Sequence, residues 1–362
     1  MQVQTVGVCG YFSTGSSAVL DLLCEFSEVQ VFDDFEFTIA VEPDGLMDLD
    51  FHLNSYRKYV NSFIAIRRFR MLMCSIFHSK TSVEYRKATK GKIKRLTDSY
   101  LSEITQVSWR GLALASVISI PRKCIKKFIQ MILLLMCRRK IYCTPLANIH
   151  MWVCRKNMQM SSFPENFLYH TKKYINSILQ EMGRDPQKIT VLDQAFDAQD
   201  PVSSFKYYDN PKAIIVERDP RDLYLFAKYY LPYTGHGRLI PTDNVEDFIK
   251  YYKLSRKRPP SDVMNKDILR VNFESLVYDY EDTVLHISKF IGIKDHERKG
   301  SFFIPDMSRN NTQLFKKYLS NKQDIKAIES ELFEHIFPFE KFADAEASGS
   351  MFSFRSPLRS SK

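Results

Sequence analysis

The residues best suited to chemistry lie near the start of the chain, in Val6-Gly7-Val8-Cys9-Gly10-Tyr11-Phe12-Ser13-Thr14-Gly15-Ser16-Ser17-Ala18-Val19-Leu20. An apolar run, a glycine-bearing turn and the start of an amphipathic helix follow one another, and this order predicts a phosphate cradle. Gly10 and Gly15 supply positions where a positive φ meets no Cβ, and Ser16 and Ser17 stand at the helix start, where free N–H groups and the positive dipole end attract an anion. The spacing G-x-x-x-x-G-x-[ST] is that of a nucleotide P-loop, yet Ser16 stands where a lysine would reach the β and γ phosphates. A cradle without that lysine points to an anionic donor other than ATP or GTP.

A second cluster is Ala213-Ile214-Ile215-Val216-Glu217-Arg218-Asp219-Pro220-Arg221-Asp222. An apolar strand that ends in Arg and Asp-Pro before a helix places a guanidinium at the carboxyl edge of a parallel sheet, where α/β folds bind ligands. Arg218 can hold a phosphate there through two parallel hydrogen bonds. Alternatively, Arg218 and Arg221 pair with Asp219 and Asp222, and the sequence leaves both readings open. A third piece, Met307-Ser308-Arg309-Asn310-Asn311-Thr312-Gln313-Leu314-Phe315-Lys316-Lys317-Tyr318, is a polar loop feeding a basic helix.

The elements that must position these pieces alternate. Apolar, β-rich runs at 4–9, 29–33, 189–192, 213–216 and 269–272 are separated by stretches with helical periodicity, clearest at 17–26, 222–230, 245–256 and 280–291. That alternation predicts an α/β fold with a parallel, P-loop-type sheet flanked by helices, and Gly292 reads as a C-cap. Between residues 51 and 185 the chain turns rich in Lys, Arg, Met and aromatics with few strand signals, which predicts a large, mostly helical insertion. The expected division is a core from 1–50 and 186–342, the insertion at 51–185, and a disordered Ser-rich tail at 343–362.

Together the three pieces resemble the sulfotransferase family that uses 3′-phosphoadenosine-5′-phosphosulfate (PAPS). In that family a Ser/Thr-Gly-Ser/Thr-Ser/Thr core holds the 5′-phosphosulfate, matched by Thr14-Gly15-Ser16-Ser17, and a strand ending Arg-Asp-Pro-Arg-Asp grips the 3′-phosphate, matched by 218–222. Val271-Asn272-Phe273-Glu274-Ser275-Leu276 and Phe290-Ile291-Gly292-Ile293 are similar to its strand-Glu-x-Leu and Phe-Leu-Gly segments. The resemblance covers the first fifty or so residues and the part after about Ile189. It implies that Ser13, Thr14, Gly15, Ser16, Ser17, Arg218, Arg221, Arg309, Asn310 and Lys316 hold PAPS, without a metal. Two positions depart from the pattern: Ser13 stands where the family carries Lys or Arg, and Phe226 where it carries Ser. A cation for the leaving oxygen would then come from Lys316, Lys317 or Arg221.

Sulfuryl transfer also needs a base for the acceptor's proton. Carbohydrate sulfotransferases often use a Glu after the strand that follows the first helix, which implies Glu36, with Asp34 as its main rival and His52 third. Asp44, Asp48 and Asp50, or Asp193 and Gln194, could face an acceptor sugar, or could cap helices. Alternatives of other classes are a non-catalytic nucleotide- or polyanion-binding protein on the same fold and a P-loop kinase.

At 362 residues and 44% hydrophobic, the chain can bury a large core. The 52 Lys and Arg against 42 Asp and Glu, a net charge of +10, favour a polyanionic partner without choosing among nucleotide, acidic glycan, nucleic acid and membrane. The motifs favour PAPS and a carbohydrate acceptor, with no nucleic acid expected. Seven scattered cysteines, among them a packing Cys9, read as reduced thiols rather than a disulfide frame or zinc site. With no signal sequence read at the start, the expected location is cytoplasmic. The apolar stretch 128–137, framed by Lys126, Lys127, Arg138, Arg139 and Lys140, is shorter than the about 20 residues a span needs. It suits either a buried helix or peripheral contact with an anionic inner membrane face.

Overall fold

The structure is a computed structural model that describes residues 4–56, 58–75, 80–112, 155–234, 239–262 and 265–342. These fall into two compact units, one within Met1–Val41 and Gly183–Lys362, the other within Glu42–Met182.

The first unit is built on five parallel strands, β1 (Thr5–Gly10), β2 (Val29–Phe32), β5 (Ile189–Asp193), β6 (Pro211–Glu217) and β7 (Ile268–Asn272), in the order β2-β5-β1-β6-β7. The α/β reading therefore holds, and each strand lies within two residues of its expected ends. One face carries Val6 and Val8 of β1 with Ile214, Val216 and Val271, packed against Val19, Leu20, Leu22 and Leu23 of α1 (Ser16–Leu23) and Ile287 of the helix Tyr280–Ile291. Burying each such side chain contributes about 1.5–3 kcal/mol. On the opposite face Gly7 makes room for Phe196, whose ring lies 2.3 Å from where a Cβ would sit. Cys9 is buried, and burial pushes its thiol pKa up, as expected of a packing residue rather than a nucleophile.

The helix Tyr280–Ile291 ends on Gly292, at φ 92°, in the expected C-cap conformation. A satellite core joins Leu223, Tyr224 and Phe226 of the helix Pro220–Tyr229 to Phe248 and Tyr252 of Val245–Ser255 and Ile328 of Lys322–Glu331.

The second unit is mostly helical, over Leu46–Leu53, Tyr59–Cys74, Lys80–Ala88, Ile93–Ile104 and Phe167–Glu181. Its centre is aromatic: Tyr100 and Tyr174 stack at 4.6 Å, Phe69 meets both edge-on, and their hydroxyls bond Thr171 and Thr97 at 2.9 and 2.7 Å. It also holds an antiparallel pair, β3 (Val107–Leu112) with β4 (Arg155–Met160), which the sequence reading did not foresee.

Among the described residues no helix is long and apolar enough to cross a membrane, and no group of three His, Cys, Asp or Glu is arranged for a metal. The basic apolar stretch 126–140, the tail 343–362 and Cys124, Cys137, Cys143 and Cys154 lie outside the described residues.

Candidate functional site

Strand order locates the site. From β1 the chain goes first to the edge strand β2 and returns inward to β5, beside β1, then crosses to β6 and β7 on the other side. The crevice at the carboxyl ends of β1 and β6 is thus a topological switch point, where α/β sheets bind ligands. The loop 10–17 follows β1, and the segment 218–222 follows β6.

The loop is held by its own backbone, by Gln194 just past β5's end and by Arg218, which donates to the Ser13 carbonyl. Tyr11's carbonyl accepts from Thr14 N at 3.2 Å and from Thr14 Oγ1 at 2.8 Å, and Thr14 is buried. Gln194 accepts from Gly10 N at 3.2 Å and donates to Ser16 Oγ at 3.1 Å, tying both limbs together. The two glycines serve different ends. Gly15 sits at φ 94°, as expected, with a would-be Cβ 2.6 Å from Phe273. Gly10 does not adopt positive φ; its requirement is space, because a Cβ there would lie 2.4 Å from Thr14 Oγ1. The other left-handed position in the loop is Ser13, at φ 62°.

α1 opens with Ala18 N donating to Gly15 O, while the N–H groups of Gly15, Ser16 and Ser17 find no acceptor among the described residues. No acidic residue occupies its first turn. Three unsatisfied donors and an uncompensated dipole end are an arrangement that attracts an anion.

The segment after β6 is built the opposite way. Asp219 caps the helix Pro220–Tyr229 by accepting from Arg221 N at 2.9 Å, and its carboxylate takes Arg221 Nε and Nη2 at 3.0 and 2.8 Å. Arg221 also donates to Glu329 at 2.9 Å and lies 3.9 Å from the Phe315 ring centre. Its ion-pair reading is therefore the one realised. Asp222, fully buried, accepts from Gln313 N and Leu314 N at 2.7 Å each, so it fills the start of the short helix Leu314–Lys317. Glu274 accepts from Asp219 N at 3.0 Å through one oxygen, and its other oxygen is buried without a partner. Burial, reinforced by neighbouring carboxylates, pushes Glu274 up to about 8 and Asp222 up to about 7.

Arg218 is 4% exposed and donates to two backbone carbonyls, Ser13 O at 3.0 Å and Asn311 O at 2.6 Å. Its guanidinium carbon lies 4.6 and 5.4 Å from the ring centres of Phe226 and Phe273. Beyond it, Arg309 pairs with Asp306 at 3.3 Å and approaches the Tyr278 ring. Asn310 O receives Lys317 Nζ at 3.5 Å, and Lys316 is exposed.

Phe37 N donates to Asp193 O at 2.7 Å, which fastens the acidic segment to the end of β5, next to Gln194. Asp34 and Glu36 are both exposed on it. His52 belongs to the other unit, on the helix Leu46–Leu53. There it lines a cavity of about 220 Å³ with Asp44, Asp48, Asn61 and Arg68, and its Nδ1 is buried without a partner. Asp44 pairs with Arg68 at 2.9 Å and donates its N–H to Asp48, while Asp50 is buried and accepts from Asn54.

Sequence reasoning missed a charged network on the far side of the loop. Arg256 is sandwiched between the rings of Tyr11 and Tyr252, at 4.0 and 3.7 Å, and Glu217 bridges it to Arg270, which also binds Asp262. Its members come from separate strands, a loop and the end of the helix Val245–Ser255, so no local pattern announces it.

No family model and no curated protein matches the sequence. Solved structures similar to the chain include the sulfotransferase domain from the curacin biosynthetic pathway, at 8% identity and TM-score 0.37, covering 84% of this chain and 78% of the other. Sulfotransferase STF1 from Mycobacterium tuberculosis H37Rv aligns at 10% identity and TM-score 0.31, over 86% and 77%. Retinol dehydratase, solved in complex with androsterone and the inactive cofactor PAP, aligns at 12% identity and TM-score 0.29, over 82% and 62%.

Proposed function

We propose that this chain is a sulfotransferase that moves a sulfuryl group from PAPS to a hydroxyl of a carbohydrate or glycan precursor. The observation that carries the reading is the cradle itself: three unpartnered N–H groups at the start of α1, at the sheet's switch point, with no lysine for a triphosphate. These residues fit the phosphosulfate end of the donor, whose charge they would meet by backbone N–H and the hydroxyls of Ser16 and Ser17.

In the transfer, the acceptor oxygen attacks sulfur in line with the bridging oxygen. The new O–S bond forms as the S–O bond to the phosphate breaks, and the electron pair leaves on adenosine 3′,5′-bisphosphate (PAP). The loop N–H groups stabilise that developing charge, and Glu36 takes the acceptor's proton. Of the cations considered for the leaving oxygen, Arg221 is committed to Asp219 and Glu329, so Lys316 and Lys317 are the candidates. On this reading the enzyme works on the cytoplasmic side, on a precursor at the inner membrane face.

A sulfate-transfer assay, with PAP binding measured on the same preparations, tests the assignment of the base. Glu36→Gln is expected to abolish transfer and leave PAP binding nearly unchanged, because a general base acts on the acceptor. Wild-type turnover in Glu36→Gln with a dead Asp34→Asn or His52→Ala would move the base; full activity in all three would sink the acidic-loop mechanism.

A further inference from the structure

We infer that Arg256 is a positioning residue for the donor loop: its guanidinium, wedged between the rings of Tyr11 and Tyr252, fixes the turn after β1 against the end of β6. The inference rests on the sulfonucleotide reading above only for the identity of the ligand. Tyr11 is the loop residue whose carbonyl accepts both the N–H and the hydroxyl of Thr14, so the place of Tyr11 decides how the loop closes. The Arg256 guanidinium carbon lies over its ring, 4.0 Å from the centre, and over the ring of Tyr252 at 3.7 Å. Tyr252 in turn donates its hydroxyl to the carbonyl of Arg218 at 3.4 Å, and Glu217, which approaches Arg256 Nε at 3.5 Å, is the last residue of β6. One flat cation therefore touches groups fixed to both strands whose carboxyl ends border the crevice.

The Arg256 side chain is 2% exposed. Its Nη1 donates to Ser255 Oγ at 2.8 Å, while Nη2 is buried without a hydrogen-bond partner among the described residues. Burying a guanidinium is costly when its hydrogen bonds are not all made, and the faces of two aromatic rings offset part of that cost for a planar cation. Glu217 does not depend on Arg256 for its counter-charge, since Arg270 reaches it at 3.0 Å and also binds Asp262. What Arg256 adds is therefore the contact with the rings. The Tyr11 hydroxyl is anchored separately: it donates to the carbonyl of Ala198 at 3.2 Å and lies 3.4 Å from Arg270 Nη1. Arg270 and Ala198 hold the tip of the ring, and Arg256 holds its face. A ring fixed at both leaves the Tyr11 backbone little freedom, so the loop's open N–H groups are held in place before a ligand arrives.

The test measures PAP binding and hydrogen exchange in wild type, Arg256→Lys and Arg256→Gln. Lys keeps the charge beside Glu217 but has no plane to lay between the rings, and Gln is both uncharged and shorter, so either variant that folds decides the question. PAP affinity should fall by a factor on the order of 10. In the ligand-free protein, amides within 10–18 should exchange roughly tenfold faster at matched folded fraction, while those of the helix Tyr280–Ile291 keep their wild-type rates. A rise of equal size in both places would reduce Arg256 to general packing, and unchanged exchange at 10–18 would remove the restraint; either result overturns the inference, as does wild-type PAP affinity in a folded variant. Exchange is read without nucleotide, so failure of wild type to bind PAP would count against the sulfotransferase reading alone and leave the exchange comparison to decide the role of Arg256.

Discussion

The two segments flanking the crevice, 10–17 after β1 and 218–222 after β6, look alike in sequence: each joins an apolar strand to a helix start through residues suited to phosphate. In the folded chain they have opposite characters. The first leaves three backbone donors without acceptors, while the second pairs most of its groups internally, with Asp219 on Arg221, Asp222 on the N–H groups of Gln313 and Leu314, and Arg218 on two carbonyls with its Nε left buried without a hydrogen-bond partner. A helix start with open donors is a binding surface; one already filled by a buried carboxylate is a joint. Mutations should therefore cost stability on the β6 side and affinity on the β1 side.

The sharpest break of that contrast is Arg221→Ala. It leaves the fully buried Asp219 without its bidentate partner, and removing one member of a buried ion pair costs about 3–5 kcal/mol. Urea unfolding should show a loss of that size; a loss below about 1 kcal/mol, the scale of a surface ion pair, would deny the segment its structural role.

Gly15→Ala comes next, because it imposes a left-handed conformation on a residue with a Cβ and drives that Cβ to within 2.6 Å of Phe273. Strain of this kind is on the order of 1–3 kcal/mol. PAP binding should be lost together with some stability, since the loop cannot keep its shape. Normal PAP affinity in a folded Gly15→Ala protein would show that the cradle is not the site.

Glu274→Gln separates the two segments by pH. Glu274 is pushed up from 4.5 unfolded to about 8 folded, so the native state holds the proton more tightly. Its contribution is complete below the unfolded value and is lost as pH rises through about 8; Asp222, pushed up to about 7, acts in the same direction. Melting temperature should accordingly fall between pH 5 and 9 in wild type and fall less in Glu274→Gln. Parallel pH profiles would mean that the carboxyl is not buried as described. The smallest effect belongs to Ser16→Ala, which removes one hydroxyl from the cradle. PAP binding should weaken by roughly 1 kcal/mol, about fivefold, with melting temperature nearly unchanged.

The framework was legible because its signals are local. Val, Ile and Leu runs bounded by turn residues marked all five parallel strands, and Gly292 marked a helix end that it does cap. The strand Arg155–Met160 escaped notice because Arg-Lys-Asn-Met-Gln-Met has none of the β-branched or aromatic residues that advertise a strand. At the site, the sequence identified the residue types and left their partners open. Whether Arg218 meets a phosphate or a carbonyl depends on Ser13 and Asn311, which only the tertiary fold brings to it. Gly10 shows the same limit: its place in the loop was plain, but the reason for a glycine there is the Thr14 hydroxyl folded back over it.

The most direct test of the account is calorimetric titration of the wild-type protein with PAP and, separately, with ATP. A cradle of free N–H groups without the triphosphate lysine predicts one site for PAP, at least tenfold tighter than for ATP. Equal or tighter binding of ATP, or no PAP binding at all, would contradict the claim that the loop after β1 is built for a sulfonucleotide.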